Sequence, residues 1–186
     1  EEEYRVPLED VYCVVIDSQQ MLLSTAILTA LTRQGAHILL CDASHFPVTA
    51  IYSQNGYYHP LTILRRQLFM DEDLKDVFWR DIVRAKLINQ ARVLELAGVN
   101  SERIRRLRDL AEEVEPGDGG NREGIGAKWF FRSLYGANFI RMADDGINAA
   151  LNYGYTIIRS AMVKTLCAYG YNTVCGLHHI SESNPF

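Results

Sequence analysis

The sequence has little of what usually narrows a protein's setting. Four cysteines in 186 residues form no CxxC pair, and there are only five prolines and 13 glycines. Scarce Pro and Gly exclude a collagen-like or low-complexity chain, and an apolar content of 48% excludes intrinsic disorder. No run of about 18 uncharged apolar residues exists, so no helix spans a membrane. The first residues, Glu1, Glu2 and Glu3, are the opposite of the basic start of a secretory signal. Neither sign of charge dominates: 19 basic against 23 acidic residues give −4. Such a balance argues against a nucleic-acid partner unless charge is segregated along the chain.

The cysteines themselves, Cys13, Cys41, Cys167 and Cys175, lie mostly in apolar runs such as VYCVVID and ILLCD. Cys167, Cys175, His178 and His179 are grouped, but at spacings wrong for a usual zinc module. Reduced, packed thiols in a cytoplasmic protein are the better reading. A chain of this length suits one large or two small domains, burying roughly 70% of its unfolded surface.

What is present is ordered along the chain. VYCVVID (11–17) reads as a strand, residues 20–34 as a helix ended by Gly35, and HILLCD (37–42) as a second strand. A third strand is expected over 46–53, closed by the Asn55-Gly56 turn signal. From Pro60 the texture is helical. Leu74, Phe78, Ile82, Ala85, Ile88 and Ala91 make a 3.6-residue stripe over 71–97, broken by Gly98. Asn100 or Ser101 caps a short basic helix over 102–110. After the Gly-rich loop 115–120, one helix begins near Asn121 and a long one runs from about Asp144 to Tyr169. The expected fold is α+β: a small β-rich domain over 1–58 followed by an all-helical, metal-binding domain over 59–186. The apolar strands of the first are the natural surface for a dimer contact.

Charge is segregated after all. Residues 65–108 hold eleven Lys and Arg against seven acids, while 109–123 hold six acids and one Arg. Arg65, Arg66, Arg84, Lys86, Arg92, Arg103, Arg105, Arg106 and Arg108 could face a phosphate backbone, or simply be the solvated faces of helices.

Three features of the helical half can carry chemistry. GDGGNREGIGAKWFF (117–131) is a Gly-rich loop entering a helix with Glu123 in its first turn; it is not a P-loop, lacking the Gly-Lys-Ser/Thr ending. Asn148 and Asn152 lie four apart on an otherwise apolar helix and must find partners or stay wet: they could bridge helices, back a metal ligand or cap a neighbouring loop, inter-helix bridging being the commonest use. The pair His178 and His179 follows a glycine break and offers imidazole as ligand or base. Taken separately, each has an ordinary structural reading.

Together and in this order, they resemble the integrase subunit of the CRISPR spacer-acquisition machinery, the Cas-one family, in the form accompanying type II systems. The matching stretches are residues 16–48, AKLINQARVL (85–94), PGDGGNREGIGAKWFF (116–131), INAALNYGYTII (147–158) and GYNTVCGLHH (170–179). The resemblance implies a homodimer and a divalent ion, Mg²⁺ or Mn²⁺, in the helical domain. Glu123 and His179 would be its ligands and the catalytic pair, with His178 the runner-up. Asn148 and Asn152 would support the ligands from behind. Arg65, Arg66, Arg84, Arg103, Arg105 and Arg106 would hold double-stranded DNA. It also implies a small companion subunit, Cas-two, and a reaction joining 3′-hydroxyl ends of short DNA fragments into a repeat array. The family's third, acidic ligand would fall beyond Phe186 and its first β-hairpin before Glu1, so the chain is expected to be a fragment. The alternative is a metal-independent DNA-binding dimer scaffold.

Overall fold

The computed structural model describes residues 4–43, 45, 47–51, 53 and 59–178. Its contacts divide the chain into two compact units: residues 1–65 with 144–173, and 66–143 with 174–186. The architecture is mixed α and β, with strands ending at Ile51 and helices from Pro60 onward.

The first unit holds a three-stranded sheet in the order β1 (Cys13–Ile16), β2 (His37–Cys41), β3 (Pro47–Ile51). β1 and β2 are parallel, joined through α1 (Thr25–Arg33); β3 runs antiparallel to β2, with a register irregularity at Leu40/Cys41. Alternation sends Ile16 and Ile38 to one face, where they pack with Leu31, Ala36, Ile27 and Leu28. The return helix α6 (Gly146–Ala168) packs on β2 and β3, so β2 is buried nearly throughout. α1 is shorter than the expected helix over 20–34. Ser24 accepts the Ile27 N–H at 3.3 Å and so starts it, which leaves 21–24 outside despite their apolar spacing.

A buried ring opens the central strand of this sheet. His37 is 1% exposed, and neither ring nitrogen has a hydrogen-bond partner among the described residues. The Tyr12 ring meets it edge-on at 5.2 Å, and Lys164 Nζ sits 4.0 Å from the centre of that same Tyr12 ring. Burial first, then the charge of Lys164, hold the imidazole below its ordinary range. Burial pushes the Cys13, Cys41 and Cys167 thiols up; all four cysteines are free, Cys41 buried and the other three part-exposed.

The second unit is built on α3 (Glu72–Leu96), α4 (Ser101–Glu112) and α5 (Arg122–Tyr135); α2 (Pro60–Leu68) straddles the division between units. Asp71 caps α3 by accepting the Asp73 N–H at 3.0 Å, and Asn100 caps α4 by accepting the Arg103 N–H at 3.0 Å. The core joins Val83, Leu87, Ala91 and Leu94 of α3 to Ile104, Leu107, Leu110 and Ala111 of α4 and to Phe130 and Phe131 of α5. The buried stripe of α3 is therefore not the expected one. Leu74, Phe78, Ile82 and Ile88 are all more than two-fifths exposed, and of the expected stripe only Ala91 is core. α3 carries apolar residues on two faces, and packing against α4 and α5 selects the second; periodicity cannot make that choice.

Candidate functional site

Glu123 is placed by the loop before α5 and by the packing behind it. Asp118, 8% exposed and left-handed at φ 49°, turns its carboxylate back onto the start of the helix. Its Oδ1 accepts the Arg122 N–H at 2.8 Å and its Oδ2 the Glu123 N–H at 2.9 Å. Asn121 adds the third end-group, accepting the Gly124 N–H at 3.2 Å. Backbone donors of the first turn, which have no partner inside the helix, are thereby satisfied. The loop reaches this path by lying on α3. A Cβ at Gly117, where φ is 72°, would stand 3.1 Å from the Asp76 carboxylate.

Behind the site, α5 touches α3 through Gly126, one turn after Glu123. A Cβ there would fall 2.1 Å from Leu87 Cδ2, so a larger residue would push this leucine aside. Trp129 then donates its Nε1–H to the Arg103 carbonyl at 3.0 Å, locking α5 to α4. These contacts bring α5 beside α3, where Lys86 donates to Glu123 Oε1 at 2.5 Å. Both side chains are part-exposed, at 42% and 29%.

The candidate arginines divide in two. Arg84 pairs with Glu112 at 3.0 Å, and Arg106 with Glu113 at 3.0 Å. Arg103 bonds Ser133 Oγ at 3.2 Å with its guanidinium 5.5 Å from the Trp129 ring centre. Arg122 Nε also lies 3.1 Å from Glu113 Oε2, an ion pair that is not aligned as a hydrogen bond. Glu113 thus gathers two guanidinium groups, and three of the six acids of 109–123, Glu112, Glu113 and Glu123, pair with basic side chains. Arg65, Arg66 and Arg105 are exposed.

The other candidates are dispersed. Asn148 is buried at the start of α6 in the first unit, where its backbone N–H and amide donate to the two carboxylate oxygens of Asp145 at 2.8 and 3.0 Å. Asn152 is an exposed residue of the same helix and, with Tyr155, Thr156 and Arg159, lines a surface depression. His178 stacks on Trp79 in the second unit, ring centres 4.5 Å apart and planes within 4°. His179 lies outside the described residues, and among those described no three His, Cys, Asp or Glu side chains converge as a metal site. Glu123 has the character a hard divalent ion requires, an oxygen donor at a part-exposed position, and the cation beside it is Lys86.

Sequence reasoning did not assign Asp118 or the Lys86–Glu123 pairing. Asp118 four residues before Arg122 hints at a cap only once its left-handed turn is known. The AKLINQARVL stretch places Lys86 on a helix without saying which acid it meets.

The helical unit of this mixed fold presents a clamped, part-exposed glutamate, which by itself leaves the class of protein open. Comparison narrows it. Residues 1–122 match the family model for CRISPR associated protein Cas1, a match that ends one residue before Glu123. The chain belongs to that family. It is 42% identical over 185 residues to the CRISPR-associated endonuclease Cas1 of Neisseria meningitidis serogroup C (strain 8013), with 100% of this chain aligned. It spans 60% of that relative's length. In fold it is similar to a chain of the structure titled "Partial Cas6-RT-Cas1--Cas2 complex", with TM-score 0.56 and 19% identity over 97% of this chain and 60% of that one. Among the described residues, no helix is long and apolar enough to cross a membrane.

Proposed function

We propose that this chain forms part of a metal-dependent DNA integrase and endonuclease of CRISPR adaptation. It would join the 3′-hydroxyl ends of short double-stranded DNA fragments into a repeat array by phosphodiester transesterification. Family membership supports the setting, and the relative's name supports nuclease chemistry. The observation that carries the assignment of the site is Glu123, clamped in the first turn of α5 by Asp118 and by the Gly126 approach.

In this reading Glu123 and His179 would hold Mg²⁺ or Mn²⁺. When bound, the ion supplies Lewis-acid stabilisation of charge at the scissile phosphate. The protein's own part is orientation. Asp118 fixes the backbone that carries Glu123, and α3 fixes the depth at which its carboxylate stands. Arg65, Arg66 and Arg105 are exposed and ready for a phosphate backbone. Arg84, Arg103 and Arg106 would contribute by exchanging an internal partner for a phosphate, which a guanidinium does at small cost near the surface. Two protomers and a Cas2-type companion complete the assembly; the similar structure's title names Cas1 with Cas2.

The test is strand transfer by the full-length protein with Mn²⁺ and a labelled short duplex. Glu123→Ala is expected to abolish joining while DNA binding persists. Unimpaired joining by this variant would remove Glu123 from the mechanism.

A further inference from the structure

Glu123 already has a cation at its carboxylate. Lys86 Nζ lies 2.5 Å from Oε1, a charge-assisted bond between neighbouring helices. The pairing is not a chance meeting of two long side chains. Lys86 is adjacent in sequence to Leu87, the residue that fills the space left by Gly126, so the contact fixing the α3–α5 distance also sets the lysine opposite the glutamate.

We propose that Lys86 is the resident counter-ion of Glu123, keeping this carboxylate neutralised until a divalent ion displaces the ammonium. The inference rests on the reading of Glu123 as a metal ligand and adds to it a competitor built into the chain. An ammonium is a compact charge on a flexible four-carbon stem and can withdraw without moving the backbone. Both partners are part-exposed, so the withdrawn charge is rehydrated and the pair is easily broken. Before withdrawal it occupies the oxygen a dication would take, and its charge opposes the dication's approach, weakened by nearby solvent. Lys86 is thus a positioning residue: it holds the carboxylate ready toward α3 and weakens metal binding by its presence.

The experiment measures Mn²⁺ binding by electron paramagnetic resonance in the full-length protein, its Lys86→Met, Lys86→Gln and Lys86→Arg variants, and Glu123→Gln. Removing the charge with Met or Gln is expected to tighten Mn²⁺ binding by up to about fivefold. Lys86→Arg keeps the charge and is expected to stay near the unsubstituted protein, which a purely structural role for the side chain would not require. Thermal melts check that each variant folds, and the glutamine variant stands in if the methionine variant does not. Unchanged or weaker binding in the neutral variants, with Glu123→Gln still lowering affinity, overturns the role of Lys86 and leaves the metal reading standing. If Glu123→Gln leaves Mn²⁺ binding unaltered, both fall.

Discussion

Gly126→Ala tests the packing on which the position of Glu123 depends. The added methyl would fall 2.1 Å from Leu87 Cδ2, well inside contact distance, and Leu87 is wholly buried among α3, α4 and α5. Leu107 Cδ2 stands 3.7 Å from the same methyl position, in ordinary contact, so the strain falls on the buried Leu87 side chain. Overpacking of this kind costs about 3 kcal/mol at the upper end of its usual range. The better helix propensity of alanine returns about 1 kcal/mol. The net expectation is a loss of about 2 kcal/mol, or roughly 4–8 °C in melting temperature for a chain of this size. Urea denaturation followed by circular dichroism measures it, with a double-mutant cycle to identify the cause. Leu87→Ala alone should cost about 2–5 kcal/mol. In the Gly126→Ala background it should cost about 1–2 kcal/mol less, because the vacated space accepts the new methyl. A Gly126→Ala protein as stable as its parent, or two substitutions that simply add, would refute the reasoning.

Two further outcomes follow from the same structure. Asp118→Ala removes both acceptors from the Arg122 and Glu123 N–H groups and is expected to destabilise the second unit by about 1–2 kcal/mol, with Asp118→Asn, which keeps one acceptor, milder in urea titration. His37 gives the first unit a pH dependence. Its folded pKa is held below the unfolded value of about 6.5, so the native state binds fewer protons and stability is full above that pH. Stability should decline as pH falls from there toward the folded pKa, and His37→Leu should flatten the melting-temperature profile over that window; an unchanged slope would contradict the assignment.

How much of this was legible beforehand depended on whether the signal was local. The starts of α3 and α4 at Asp71 and Asn100, and of α5 at Asn121, follow from side chains bonding backbone two or three residues on, and these were readable. The choice between the two apolar faces of α3 was not, because Leu87 and Phe78 look alike until α4 and α5 are in place. Asn148 bonds Asp145 in its own helix cap, a partner three residues away that its apolar surround overshadowed. Glu123 was singled out by the pattern around it. Its tie to Lys86 was not, since 37 residues separate them and only the α3–α5 contact brings them together.

The most direct measurement is an anomalous-scattering map from crystals of the full-length protein soaked in Mn²⁺. The account expects one strong peak within coordination distance of both the Glu123 carboxylate and the His179 imidazole, with the Lys86 ammonium withdrawn. A peak elsewhere, or these two side chains directed to different sites with no ion between them, would contradict it.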